Sequence, residues 1–480
     1  MGKNKNKDKK KNKGYQYLFT NENNESKQNF YDGDIQEEIY TSRNIDKNES
    51  NNIKISKELI GKYKIVCIEG ELYFYNEDLG CYKDLSMHTL KVWIMESVLK
   101  NSYKCNSMTR VNDIAGLLKI QPDIQIRRKE INSKNSLLIN CKNGVFDLEE
   151  KCFKDHSSKY YFFNTIDCNY KEDISYKKFK KSRFAEFIND ITNGDKELEK
   201  LLQQICGYSI SNLNNAKRFF IFFGKGNEGK SVLLDLLVSI VGRESVSSID
   251  LQDLCDKNEV IHLKDKTVNI SNELPSNMVK DLANIKSLVC DTDMIVGRAR
   301  YKDSISFYNK AKLLFACNSL PKVTGGNSEK NKAYFNRVII IPFLNSIPED
   351  KQDKTLIEKL KKEKDIIFRW CLVGLMDFIE NNYTFRECAI SNKYKRNYVK
   401  SESIIDSFIE DRIIFDDDSH IYKVDLVKEF KNYCKEEGRD VDRKDILSLH
   451  DILINKYGAK YKKIHKGTEN RYGYKKIRVE

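Results

Sequence analysis

Apolar positions are distributed unevenly along the chain. Residues 1–58 show no sustained apolar period: seven of the first thirteen residues are lysine, and Asn, Glu and Asp dominate the rest of the stretch, which predicts a disordered basic and polar tail. From Tyr63 the pattern changes. KIVCIEGELYFYN reads as two short strands about a turn, and HTLKVWIMESVLK has the apolar spacing of a helix. LLINCKNGVFDLEEKCFKD then alternates β-rich runs with turn residues, and helical segments follow at 183–192 and 198–207, so 59–210 reads as an α+β lead-in domain. Four apolar β-type runs, RFFIFFG, KTVNISNE, KLLFACN and RVIIIPF, alternate with helical stretches over 211–348. Continuous apolar runs with crossover helices predict an α/β core built on a parallel sheet. A helical linker over 349–400 and a basic C-terminal block over 401–480 complete the pattern, which contains no internal repeat.

Composition changes this picture little. The chain has 480 residues; 84 Lys and Arg against 71 Asp and Glu give +13, a mild preference for polyanions, and the length excludes a peptide hormone or a lone binding module. Thirteen cysteines are scattered without a C-x-x-C pair, which predicts reduced thiols and a cytoplasmic protein without a zinc site. Apolar runs such as 219–223 and 338–341 fall far short of a membrane span. The N-terminus lacks the apolar core of a signal peptide.

The candidate chemistry begins at Gly224-Lys225-Gly226-Asn227-Glu228-Gly229-Lys230-Ser231, a complete G-x-x-x-x-G-K-S between an apolar strand and a helix. Such a P-loop wraps backbone N–H groups around phosphates at a helix N-terminus, offers Lys230 to the β- and γ-phosphates and Ser231 to Mg²⁺, and predicts ATP and Mg²⁺ as ligands. The β-branched run TVNIS leads to Glu273, 43 residues beyond Lys230, where a second strand would deliver a carboxylate to polarise water. Asn272 precedes it where an Asp often helps to hold the metal, so metal ligation is assigned to Ser231. A third run ends at Asn318, placed to sense the γ-phosphate, and Arg337 precedes the fourth, placed to reach a neighbouring subunit's phosphate. Each of the last three would also serve as an ordinary strand-end residue. VGRARYKDSISF reads as a hairpin about a Lys-Asp turn, bearing Arg298, Arg300 and Lys302 as DNA contacts or as a solvated surface.

The order of P-loop, strand-Glu, strand-Asn and Arg within about 115 residues resembles that of superfamily III helicases, most closely the C-terminal part of phage, plasmid and poxvirus-type primase–helicase proteins. CKNGVFDLEEKCFKDHSSKYYFFNTIDCNY resembles the lead-in domain of those proteins. The resemblance implies an AAA+-like ATPase core, a hexameric ring, a channel hairpin with Lys302 at its tip, a nucleotide-responsive Lys286, and 3′-to-5′ movement on single-stranded DNA. From Lys456 to Glu480 nine Lys or Arg and two Glu are interleaved with Tyr457, Tyr461, Tyr472 and Tyr474; two helices and a basic hairpin look like a winged helix. Fewer than 70 polar residues precede the likeness, so primer synthesis is not expected of this chain.

The expected activity is therefore an ATP-dependent DNA helicase acting on single-stranded and forked DNA in the replication of a mobile element. An ATP-switched replication initiator or loader with little unwinding activity is the alternative, and a small-molecule P-loop kinase is disfavoured by the basic C-terminal block. Whether a separate primase or initiator docks on the N-terminal tail is left open by the sequence.

Overall fold

The computed structural model describes residues 50–100, 107–127, 131, 135–274, 283–298, 304–321, 323, 329–401, 404–436, 441, 443–466 and 469–480. It opens with helix α1 (Asn51–Tyr63), capped by the Ser50 side chain and ended by Lys64 in the left-handed conformation. Residues 51–58, expected in the polar tail, belong instead to this helix: Ile55, Leu59 and Ile60 form a buried stripe that the surrounding Asn and Lys obscure in the sequence. Residues 1–49 lie outside the described residues. Strands β1 (Val66–Ile68), β2 (Glu71–Asn76) and β3 (Cys81–Asp84) form an antiparallel meander. With α1, α2 (Met87–Lys100) and α3 (Met108–Lys119) they close a small core around Ile55, Leu90, Ile94, Ile114 and Leu118.

A second meander, β4 (Leu138–Cys141), β5 (Gly144–Asp147) and β6 (Cys152–Lys154), leads to helices α4 (Arg183–Ile191) and α5 (Lys196–Ser209). Next come β7 (Phe219–Phe223), α6 (Lys230–Val241), the two-residue β8 (Val246–Ser247), β9 (Val268–Ser271), α7 (Ala283–Leu288), the antiparallel hairpin β10 (Met294–Arg298) and β11 (Ser304–Tyr308), β12 (Lys312–Cys317), α8 (Glu329–Arg337) and β13 (Val338–Pro342). β7, β8, β9, β12 and β13 form one all-parallel sheet in the order β13-β7-β12-β9-β8. Its central strands read as unbroken apolar runs because both faces are covered: Phe220 and Phe222 look into one core, and Phe219 and Ile221 into the other.

The larger core runs from Ile139 to Cys388, so residues 138–213 share it with the parallel sheet and no break in packing falls at residue 210. Helix α9 (Lys364–Glu380) also belongs to it, burying Phe368, Trp370, Cys371, Leu372, Leu375 and Phe378. The expectation of a linker over this stretch is corrected: a helix apolar on most faces is a core element.

Helix α10 (Ala389–Ser401) is tied to β13 by Ser391 Oγ donating to Ile340 O at 2.6 Å. Then α11 (Ile404–Arg412), β14 (Ile413–Tyr422), α12 (Lys423–Glu436), α13 (Arg443–Asn455), β15 (Lys460–Lys466) and β16 (Glu469–Val479) form a C-terminal unit with its own core of Phe408, Phe430, Leu449, Leu453, Tyr474 and Ile477. Its sheet is antiparallel in the order β14-β16-β15. Among the described residues no helix is long and apolar enough to cross a membrane, and no cluster of three or more His, Cys, Asp or Glu could hold a metal ion.

Candidate nucleotide site

The parallel register fixes what meets at the C-terminal edge of the sheet. Cys317 pairs with Phe223, and Gly224 N donates to Cys317 O at 3.2 Å, so Asn318 and the Gly224–Ser231 loop leave adjacent strands side by side. Leu274 N donates to Ala316 O at 2.8 Å, which brings Glu273 to the same edge. Glu273 and Asn318 are both exposed. In α/β sheets this edge is where ligands bind.

The loop is held from several sides. Ile347 N donates to Asn227 O at 2.9 Å and Ser346 Oγ to Gly226 O at 3.1 Å. Gly229, with φ of 91°, starts α6 in the left-handed region, which a side chain would strain. Lys225 and Asn227 are exposed, as is Ser231, which has no hydrogen-bond partner for its hydroxyl among the described residues and stands at the second position of α6.

Glu228, named within the loop motif, turns its side chain inward, which the motif does not predict. Its Oε1 accepts from Gly226 N at 2.6 Å, its Oε2 accepts from Lys230 Nζ at 2.7 Å, and Lys230 Nζ also donates to Gly224 O at 3.0 Å. Both side chains are buried, at 3% and 8% exposure. Burial alone pushes the Glu228 carboxyl up, but Lys230 and the Gly226 N–H more than offset it and hold the group below its usual range. The loop thus already binds an anion through a backbone N–H and a lysine, the donor set that phosphate oxygens use. Replacing Glu228 with Gln is expected to tighten nucleotide binding about tenfold, about 1.4 kcal/mol, because an incoming phosphate no longer displaces a charged group. A fluorescent-nucleotide titration checks this; weaker binding would show that Glu228 assists the ligand rather than competing with it.

A carboxylate outside the loop escaped sequence reasoning. Asp250 Oδ1 accepts from Ser271 Oγ at 2.6 Å at the end of β9, near Glu273. Its only signal was a position just past the two-residue β8, too short to recognise from pattern.

Arg337 stands elsewhere. It immediately precedes Val338, which pairs with Phe219 at the opposite edge of the sheet, about 15 Å from the loop at strand rise. Its Nη1 donates to Ala333 O at 2.8 Å, while its Nε is buried without a partner among the described residues. Burial, then Arg337, lower the affinity of neighbouring Arg218 for its proton. Arg298 ends β10 on the surface, and Lys286 is exposed on α7. Arg300 and Lys302 lie outside the described residues.

A cavity of about 690 Å³ lies instead between the N-terminal meander and the parallel-sheet unit, lined by Tyr73, Tyr82, Phe163, Lys83, Glu244 and Lys264 among others. Lys83 pairs with Glu244 at 3.0 Å and Lys264 pairs with Glu71, so its cations are largely committed within the protein.

Residues 54–193 match a family described as D5 N terminal like, and residues 222–337 match a family of unknown function, DUF5906. A helicase-named protein of Acanthamoeba polyphaga mimivirus is 26% identical over 254 residues, 48% of this chain and 24% of that protein. Another helicase-named protein, of Invertebrate iridescent virus 3, is 24% identical over 250 residues, 49% of this chain and 26% of its own length. The matched region thus spans about a quarter of these relatives. The apo structure of the NrS-1 C terminal region superposes with a TM-score of 0.47 and 11% identity over 89% of this chain and 99% of that one. With a D5 N terminal-like segment ahead of a loop-bearing parallel sheet and helicase-named viral relatives, this chain resembles the primase–helicase-like proteins of phages and viruses.

Proposed function

We propose that the chain is an ATP-dependent DNA helicase acting in replication of a virus, phage or related element. The observation that carries this reading is the carboxylate already held by Gly226 N and Lys230 Nζ, on the same sheet edge as Glu273 and Asn318. A loop that satisfies a buried carboxylate with these donors suits the β- and γ-phosphates of ATP once Glu228 swings away. Lys230 then neutralises phosphate charge, Glu273 orients and polarises water, and Asn318 holds the γ-phosphate end. Mg²⁺ fits the exposed, unpaired hydroxyl of Ser231, with Asp250 a candidate for holding its water shell; the ion would neutralise phosphate charge there. Because Arg337 is remote from its own loop, its assignment is to the nucleotide of an adjacent copy in a ring, in keeping with the resemblance to hexameric helicases. The hairpin bearing Arg298, Arg300 and Lys302 is assigned to single-stranded DNA, and the C-terminal unit, read as winged-helix-like, to the duplex arm of a fork.

The test is ATP turnover by the purified chain with and without single-stranded DNA, with mass by light scattering and Glu273→Gln as the control. Turnover stimulated by DNA in a hexamer-sized particle and lost in Glu273→Gln is the expected result. DNA-independent turnover by a monomer would refute the motor while leaving the nucleotide site intact.

A further inference from the structure

The C-terminal sheet carries cations on one face in an arrangement that folding alone does not favour. Through the central strand β16, Lys475 lies directly opposite Lys460 of β15 and directly opposite His420 of β14. The next row on that face is Lys462, Gly473 and Tyr422. Directly opposed side chains sit about 5 Å apart, and residues two apart on a strand about 7 Å apart, so Lys460, Lys462 and Lys475 form one tight cluster with His420 beside it. All four are exposed. Like charges directly opposed across strands are destabilising.

Carboxylates are available in this unit, yet they serve other cations. Lys476 pairs with Asp417, Arg478 approaches Asp416 at 3.9 Å, Lys456 pairs with Asp406 at 2.8 Å, and Arg412 pairs with Glu436 at 2.8 Å. The side chains of Lys460, Lys462 and Lys475 have no ion-pair or hydrogen-bond partner among the described residues. Arg471 lies on the same face with its guanidinium 5.9 Å from the Tyr422 ring centre.

The helix that a winged-helix reading would send into a groove is poorly suited to it. The exposed described positions of α13 are Arg443, Leu447, Asp451 and Asn455: one cation, one acid and a leucine at 51% exposure. Among the described exposed residues of this unit, the dense cluster of positive charge lies on the sheet.

We propose that the β14-β16-β15 face, through Lys460, Lys462 and Lys475, is the surface that holds the phosphate backbone of duplex DNA. The inference rests on the reading that the chain acts on DNA and changes which surface makes the contact. Tyr422 is only half-exposed and its hydroxyl is buried, so this face offers charge rather than an open stacking platform, which favours the duplex backbone over unstacked bases.

The experiment measures binding of the full chain to a short blunt duplex by fluorescence anisotropy across a salt series. Changing Lys460, Lys462 and Lys475 together to Ala is expected to weaken binding at least tenfold at low salt. It should also flatten the slope of log affinity against log salt by about 3, near 0.9 for each phosphate no longer neutralised. A control changing the exposed Lys119, Lys354 and Lys362 to Ala removes the same charge elsewhere and should leave the slope unchanged. Equal melting temperatures for both triple variants and the parent would establish that neither is misfolded. An unchanged slope in the sheet variant, or an equal fall in the control, overturns this inference alone. A parent chain that binds a single strand of the same length but no duplex also overturns this inference alone, whereas one that binds neither overturns the DNA reading with it.

Discussion

Lys230→Met is expected to lower ATP turnover at least about 100-fold and also to destabilise the nucleotide-free protein. The first effect follows from losing the charge that meets the phosphates as negative charge is redistributed in the reaction. The second is specific to this chain. Glu228 is 3% exposed and uses Lys230 as its counter-ion, so removing the lysine leaves a buried carboxylate with backbone N–H groups but no counter-charge. Breaking a buried pair from one side costs on the order of 3–5 kcal/mol, read as a fall of several degrees in melting temperature. The combined variant Glu228→Gln with Lys230→Met separates the two effects. Glutamine still accepts from Gly226 N without placing a charge in the loop, so most of the melting temperature should return while turnover stays lost. If the double variant melts as low as Lys230→Met alone, the ion pair is not what stabilises the loop. If turnover returns, Lys230 is not the phosphate-binding group.

Some of this was legible in the chain and some was not, for reasons that differ element by element. Phe219–Phe223, Lys312–Cys317 and Val338–Pro342 could be read as strands because a parallel sheet covered on both faces demands continuous apolar residues. Their order was not legible, since β13 joins beside β7 through long-range register that no local pattern encodes. The glycine-rich loop stood out because few sequences satisfy its spacing, but Glu228 occupies a variable position of that motif, and only the fold reveals that its side chain turns inward. Helix α1 was missed because four apolar residues are diluted by Asn and Lys. Helix α9 was seen as a helix but not as core, since composition alone does not say what covers an apolar surface. Lys312 is a further case. It reads as the polar start of a strand, yet it is buried, donates to Ser211 O, lies 5.4 Å from the Tyr208 ring centre, and is driven by burial well below the usual lysine range.

Gly374→Ala is expected to destabilise the protein by at least about 3 kcal/mol, although alanine is the better helix former by about 1 kcal/mol. The reason is the crossing of α5 and α9. A Cβ on Gly374 would lie 2.1 Å from Gln203 O, and one on Gly207 would lie 2.3 Å from Cys371 O and 2.4 Å from Leu375 N. These are backbone atoms of the facing helix, so no rotamer change relieves the clash and the helices must separate. The crossing is also fastened on both flanks: Gln203 Nε2 donates to Trp370 O at 2.9 Å, and Gln204 Nε2 donates to Asp377 Oδ2 at 2.7 Å. Asp377 is held in turn by Arg386, whose N donates to Gln204 Oε1 at 2.8 Å. Moving the helices apart would therefore break polar contacts along with the packing. Gly61 in α1 and Gly116 in α3 supply the internal comparison, because a Cβ at either meets nothing within 4 Å. Ala at those two sites is expected to raise stability by about 0.5–1 kcal/mol. Thermal melts of the three variants decide the matter. A Gly374→Ala protein as stable as the parent would mean that the crossing relaxes freely. The expected loss would instead mark it as a rigid clamp in the core that also contains Phe187 and Ile191, the residues packed against Gly229 at the start of α6.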